Sequence, residues 1–249
     1  MAKLKSLLKI EGTLDGMTFY KKDGKYWVKT KGGIESGRLK NDPAFARTRE
    51  NNAEFTEVAK ANKFFRTAWA THRADVKDNS VTYRLTSALF KAIKQDVISA
   101  RGERKIGIAL ETAGAKALLQ GFNFNTQAAL ETVLDSDILI DDTTKEVSIV
   151  EVTPSLMLGK FQGATHCNIS AFHANLNFTE AQKQIVRSNV VELAANDPMT
   201  NLSLVFTAPA TGMGTEMIAL KIVFLQEING VKYSLNNGAF NVLQLIKVS

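Results

Sequence analysis

Between residues 8 and 34 the chain reads LKIEGTLDGMTFYKKDGKYWVKTKGGI, with apolar and polar residues in alternation. Asp15-Gly16 and Asp23-Gly24 separate the alternating runs. A two-residue period sends successive side chains to opposite faces of a strand, and Asp-Gly supplies the positive φ angles that a tight hairpin turn needs. The segment is therefore expected to fold as a β-meander, with Phe19, Tyr26 and Val28 on one face and Tyr20 and Trp27 on the other. Lys21, Lys22, Lys25, Lys29 and Lys31 edge this ribbon. So small a ribbon is marginal alone in water, so its aromatic faces call for a partner, in the same chain or in a neighbour.

Gly32-Gly33 and Gly37 then predict a flexible hinge, and Asn41-Asp42-Pro43 a helix start, with Asp42 as N-cap and proline at the first helical position. From Pro43 to about Arg73, the residues Phe45, Phe55, Val58, Asn62, Phe65 and Trp69 recur at helical spacings. A second helix is expected from about Val81 to Ala100, where Leu85, Leu89, Ile93 and Val97 follow at four-residue steps. Residues 105–111 read as a strand, and 114–119 and 126–134 as short helices. From Asp137 onward, short apolar runs alternate with Pro, Asn-Gly and Asp-Asp punctuation, which predicts an antiparallel sandwich of immunoglobulin-like size. The expected architecture is α+β: an N-terminal β-ribbon and assembly arm over 1–36, a helical segment over 37–134 and a β-sandwich domain over 135–249.

Charge is divided along the chain. Residues 1–105 hold 23 Lys+Arg against 12 Asp+Glu, whereas residues 106–249 hold 8 against 13. Such polarity suits a protein that binds a polyanion or the opposite end of a copy of itself. With 45% hydrophobic residues and 4 prolines, the composition is that of a globular chain rather than a disordered one. A single cysteine, Cys167, rules out an intrachain disulfide and a four-cysteine zinc site. The opening MAKLKSLLKIEG has its apolar stretch broken by Lys5 and Lys9, with no small-residue cleavage site after it, so no signal peptide is expected. No run approaches the roughly 18 apolar residues that cross a bilayer. Synthesis in the cytoplasm is expected, with a particle or an extracellular filament both open as destinations.

The candidates for chemistry each have a plainer reading. His166 and Cys167, with His173, suggest a thiol or soft-metal site, but on one strand His166 and His173 point to opposite faces. Cys167 and His173 share a face yet lie about 20 Å apart at about 3.3 Å per residue. Asp135, Asp137, Asp141 and Asp142 flank a short ILI run but lack the glycine and terminal acid of a calcium loop. Gly12-x-x-x-Gly16 and Gly212-x-Gly214 lack the remainder of a phosphate-binding fingerprint and read as turns. Neither a catalytic group nor a metal or other cofactor is expected. The basic aromatic ribbon is the constellation with chemical content, since aromatics among lysines can stack bases and follow a phosphate backbone. Arg47, Arg49, Lys60, Lys63, Arg66 and Arg73 add basic groups on the first long helix, where Glu50, Glu54 and Glu57 stand ready to pair with them.

The stretch GTLDGMTFYKKDGKYWVKTKGGI followed by NDPAFARTRENNAEF resembles the start of a group of uncharacterised Bacteroidota proteins. These open with a Gly-x-x-x-Gly…Phe/Tyr-Lys…Gly-Lys ribbon and continue through an Asn-Pro-type helix start. The resemblance covers roughly residues 10–70 and implies a recurring ribbon–helix unit; it supplies no functional residues. It leaves open a phage-like particle or a host filament as the setting. The expected function is a non-enzymatic, self-assembling structural subunit that forms a head-to-tail homopolymer. Its ribbon residues Phe19, Tyr20, Tyr26, Trp27 and Val28 would make the inter-subunit contact by adding to a neighbour's sheet edge. The alternative is nucleic-acid binding through the same basic aromatic ribbon.

Overall fold

The computed structural model describes residues 2–3, 9–30, 33–34 and 36–249. Lys31, expected at the ribbon edge, and Gly32, expected in the hinge, lie outside the described residues. The fold is α+β, and the chain divides into two compact units, residues 1–50 and 51–249.

Among its described residues the first unit holds four short strands: β1 (Ala2–Lys3), β2 (Gly12–Leu14), β3 (Met17–Lys22) and β4 (Lys25–Thr30). They form one antiparallel sheet in the order β1-β4-β3-β2. Helix α1 (Ser36–Asn41) follows. The Asp42 carboxylate then accepts the Ala44 N–H at 2.9 Å and Pro43 opens the next turn, as the Asn-Asp-Pro triplet predicts. Arg49 secures this corner by donating to the main-chain carbonyls of Leu39 and Asp42. Helix α2 (Ala46–Ala68) begins here and continues into the second unit.

In the second unit α2 buries Val58, Asn62 and Phe65 at four- and three-residue steps, and Trp69 is buried just beyond its end. Helix α3 (Val81–Ala92) buries Val81, Leu85, Leu89 and Ala92. It does not run to residue 100: a 3-10 turn at Ile93–Gln95 closes it, and Val97 and Ile98 are exposed. The cause is Asp96, whose carboxylate accepts the N–H groups of Ile98 and Ser99 and offers the backbone an alternative to helical bonds. The expected strand at 105–111 is instead helix α4 (Ile106–Ala109). Asp96 also takes the Lys105 N–H and Glu57 the Ile106 N–H, so two side chains from elsewhere satisfy donors that a new helix leaves open. Helices α5 (Ala113–Leu119), capped by Thr112, and α6 (Leu130–Val133) complete the helical part.

The strands are β5 (Ile138–Ile140), β6 (Val147–Val152), β7 (His166–Asn177), β8 (Gln182–Arg187), β9 (Val191–Ala194), β10 (Thr200–Leu204), β11 (Thr215–Ile228), β12 (Val231–Ser234) and β13 (Val242–Val248). Helix α7 (Pro154–Gly159), which the sequence reading missed, lies between β6 and β7 with proline at its start. All the pairings are antiparallel. β10-β6-β5 form a three-stranded sheet; the larger, six-stranded sheet runs β12-β11-β7-β8, with β13 also on β11 and β9 also on β7.

The two long strands carry both cores. On β7, Phe172, Ala174 and Leu176 face the helices, together with Met217 and Ala219 of β11 and Leu243 and Leu245 of β13. The alternate residues Cys167, Ile169 and Ala171, with Ile218, Leu220, Ile222 and Phe224, face the three-stranded sheet through Val147, Ile149, Leu202 and Leu204. Helices on one side and a small sheet on the other thus sandwich the large sheet, and residues 58–124 share a core with the strands after 135. This double cover explains the near-continuous burial of β7, which an open, one-sided sheet would not show. A bulge between Ile218 and Ala219 shifts the register with β13 and returns Val248 to the helix side.

Two glycines are fixed by close approach. A Cβ on Gly238, whose φ is +79°, would meet the Asp75 carbonyl oxygen, and one on Gly214 would meet the main chain at Leu176.

Candidate functional site

The first unit carries 12 Lys+Arg against 6 Asp+Glu, which equals the whole chain's net +6; the second unit is balanced at 19 against 19. The charge polarity of the sequence therefore resolves into one cationic unit and one neutral unit, within which residues 51–105 carry the excess of bases and residues 106–249 the excess of acids.

Cross-strand register fixes what each face of the first sheet presents, because directly opposed residues share a face. Phe19 is opposite Val28 and Gly12, Met17 is opposite Leu14 and Thr30, and Lys21 is opposite Tyr26. Tyr20 is opposite Trp27, which is opposite Lys3; Lys22 is opposite Lys25; Thr18 is opposite Lys29 and Thr13. One face is thus an apolar row of Leu14, Met17, Phe19, Val28 and Tyr26, with Lys21 at its end. The other is a central Tyr20–Trp27 pair framed by Lys3, Lys22, Lys25 and Lys29. The alternation in the sequence foresees this division of the five aromatic and aliphatic residues. Both turns have positive φ at both central residues, Asp15 and Gly16 in one and Asp23 and Gly24 in the other, the geometry that matches strand twist.

Neither face is fully covered. Phe19, Tyr20, Tyr26, Trp27 and Val28 are half-buried, while Leu14 is 60% and Met17 44% exposed. Ammonium groups lie over the rings: Lys29 over Tyr20 at 5.6 Å, and Lys21 and Lys9 over Tyr26 at 5.8 and 5.9 Å. Thr13 and Thr18 hydroxyls are 3.3 Å apart. The Trp27 indole N–H is shielded from solvent without a hydrogen-bond partner among the described residues.

The basic groups of the first long helix are differently occupied. Arg47 pairs with Glu50 at 2.9 Å, Arg49 holds main-chain carbonyls, and Arg66 donates to Asn62. Glu54 and Glu57 do not pair within the helix. Glu54 accepts from the Gly102 N–H and meets Arg104, and Glu57 meets Lys105. Arg49, Glu54 and Glu57 thus tie the helix to its surroundings, while Arg47 and Arg66 bond within it.

The remaining candidates make local contacts in the second unit. His166 meets Glu227 at 3.4 Å and Thr165 at 3.0 Å, on the face opposite His173. His173 is buried and its Nδ1 accepts the Ala210 N–H, so the ring proton sits on Nε2. Burial is the main force holding the His173 pKa below the usual histidine value, against the pull of Glu216. Cys167 is fully buried, and burial pushes its thiol up to about 12. A thiol reagent such as Ellman's reagent is therefore expected to leave Cys167 unmodified at pH 8 in the folded protein and to titrate it fully in denaturant. Rapid reaction of the native protein would contradict this environment. Asp141 caps its turn through the Thr143 and Thr144 N–H groups, and Asp142 pairs with Lys247. Among the described residues, no three His, Cys, Asp or Glu side chains converge as metal ligands.

Two acids that sequence reasoning passed over prove central to local order. Asp78 meets Arg84 at 2.7 Å and accepts from the Ser80 and Thr126 main chain. Burial alone would raise its pKa, but these hydrogen bonds hold it well below the carboxylate range. Asp96 plays the same part for the 96–105 loop. Their only sequence signal is an acid two residues before a turn, which is too common to single out.

No helix of the described residues is long and apolar enough to cross a membrane. Comparisons with protein-family models, with curated proteins and with solved structures find no match.

Proposed function

We propose that this chain is a non-enzymatic, self-assembling structural subunit that polymerises head to tail. The observation that carries the reading is the segregated N-terminal sheet, whose apolar face ends in the exposed pair Leu14 and Met17 at its β2 edge. Strand β2 is exposed at all three residues and has one neighbour among the described residues, so its outer main-chain groups can receive another strand.

A socket of matching character exists in the second unit. Strand β12 stands at the edge of the six-stranded sheet, is exposed throughout, and carries Val231 and Tyr233. The hairpin's Ile228 adds a third exposed apolar side chain opposite Val231. β13, beside β12 on β11, is met by the main chain of residues 121–124, and on the far side of the sheet, next to β9, β8 presents Gln182, Lys183, Gln184 and Arg187, the polar guard that discourages pairing. The immunoglobulin-like sandwich expected for 135–249 enters as the acceptor: main-chain bonds from β2 to β12 would give affinity, and the apolar side chains register. Because donor and acceptor are different surfaces, the contact is heterologous and closes into a ring or continues as a filament. The chemistry of Cys167 and His173, both buried and neutral, supports a non-enzymatic reading.

Removal of residues 1–34 is expected to leave a folded particle of monomer size by sedimentation velocity, while the full chain sediments as rings or filaments. Polymers that persist after the deletion would sink the proposal.

A further inference from the structure

We propose that the second face of the N-terminal sheet is a binding surface for single-stranded nucleic acid. It does not rest on the assembly reading, because it uses the opposite side of the sheet. Three observations carry it. First, the unit holding this face carries the chain's entire net charge. Second, four lysines, Lys3, Lys22, Lys25 and Lys29, share the face, with Lys21 on the other, whereas the turn acids Asp15 and Asp23 lie at the sheet's ends. Third, Tyr20 and Trp27 lie directly opposite each other at the centre, half-exposed, with Lys29 above the tyrosine ring.

The spacing selects the kind of nucleic acid. Rows of side chains on one face repeat every two residues, about 6.8 Å along a strand. Successive charges on one strand of a stacked duplex advance about 3.4 Å per nucleotide along the axis while winding around it, so they soon leave a flat row of lysines. A flat face with rows this far apart fits an extended, unstacked strand. Only unstacked bases can lie on the Tyr20 and Trp27 rings, while the phosphates follow the flanking lysines. The Thr13 and Thr18 hydroxyls, in the row with Lys29, are placed to bond phosphate or sugar oxygens.

The test is a titration of the full chain with oligo(dT) of about 15 nucleotides, read by fluorescence anisotropy and by tryptophan quenching. Of the two tryptophans, Trp69 is fully buried, so quenching by the oligonucleotide reports Trp27. Four lysine–phosphate contacts give a log–log salt slope of about −3, or roughly a 50-fold loss of affinity between 50 and 200 mM salt. Lys22→Gln/Lys25→Gln/Lys29→Gln is expected to flatten that slope by about 2, and Tyr20→Ala to weaken binding roughly 5- to 100-fold. The triple-glutamine variant is also expected to sediment like the native chain. A native protein that binds oligo(dT) without ever assembling leaves this proposal standing and removes the assembly reading. Equal binding to duplex of the same length, retention on heparin without tryptophan quenching, or a salt slope unchanged in the triple variant would each overturn it.

Discussion

Phe65→Ala is expected to lower the stability of the chain by about 3–5 kcal/mol, the usual range for emptying a buried aromatic site. Phe65 is fully buried on α2. Its ring stacks on Phe124 at 5.7 Å between centroids, meets Phe122 edge-on at 6.2 Å and lies 6.2 Å from Trp69. Those neighbours come from the helix end and from the 122–124 segment, whose main chain pairs with β13 through Gly121, Phe122 and Phe124. The cluster thus couples the helices to the edge of the large sheet, and its neighbours cannot close the gap without giving up that pairing. At about 2–4 °C per kcal/mol for a unit of this size, the midpoint of thermal unfolding should fall by roughly 6–20 °C. Tyr83→Ala serves as the contrast: the residue is 79% exposed on α3, so its loss should stay within about 0.5 kcal/mol. Similar midpoints for the two variants would contradict the placement of the core.

Asp96→Ala is expected to cost roughly 3–5 kcal/mol, because it strands three backbone donors at once. The Asp96 carboxylate is 1% exposed and accepts from Ile98 at 3.1 Å, Ser99 at 2.9 Å and Lys105 at 3.0 Å. A hydrogen bond to a charged acceptor is worth about 1.5–3 kcal/mol, and the total for three is reduced because donors near the exposed Ile98 can turn to water. Burial by itself would push the Asp96 pKa upward; the hydrogen bonds from Ser99, Lys105 and Ile98 outweigh it and hold the pKa below the usual carboxylate value. A pKa lowered by folding means that the unfolded chain takes up protons first as the pH falls. The contribution is therefore fully present above the unfolded value of about 3.9 and is lost as the pH drops through the lower, folded value. Urea midpoints at pH 7 and pH 3 measure this directly. The native chain should lose stability on acidification, and the Asp96→Ala chain should lose less. Parallel losses in both would show that Asp96 is not held as described.

Where a segment's pattern depends on its own residues, the sequence was sufficient. The Asp-Gly turns set the hairpins and the two-residue period divided Phe19, Tyr26 and Val28 from Tyr20 and Trp27. The Asn-Asp-Pro triplet placed a helix start to within a few residues. The readings that failed depend on groups distant in sequence. Helix α3 stops early, and residues 106–109 turn helical, because Asp96 and Glu57 claim backbone donors there; neither acid announces this locally. Strand β8, QKQIVR, has too little apolar character to show a period and forms because β7 offers it a partner. The layering of the second unit was hidden for a related reason. A strand such as β7 that is covered on both sides reads as an apolar run whatever covers it, helices or a second sheet. Of the candidate site, the sequence exposed the residues and their faces. It did not show that the whole net charge belongs to the sheet's own unit, which needed the boundary at residue 50.

The assembly proposal is tested most directly by mixing two disabled proteins. Leu14→Lys/Met17→Lys places a guard charge on the β2 edge and leaves the β12 socket intact; Val231→Lys/Tyr233→Lys does the reverse. All four positions are exposed, so the folds should survive. Each protein alone is expected to sediment as a 27.3 kDa monomer. Mixed in equal amounts, they should form a one-to-one complex and nothing larger, because one intact arm meets one intact socket. Rings or filaments from either variant alone, or a mixture that stays monomeric while the native chain assembles, would contradict the head-to-tail contact.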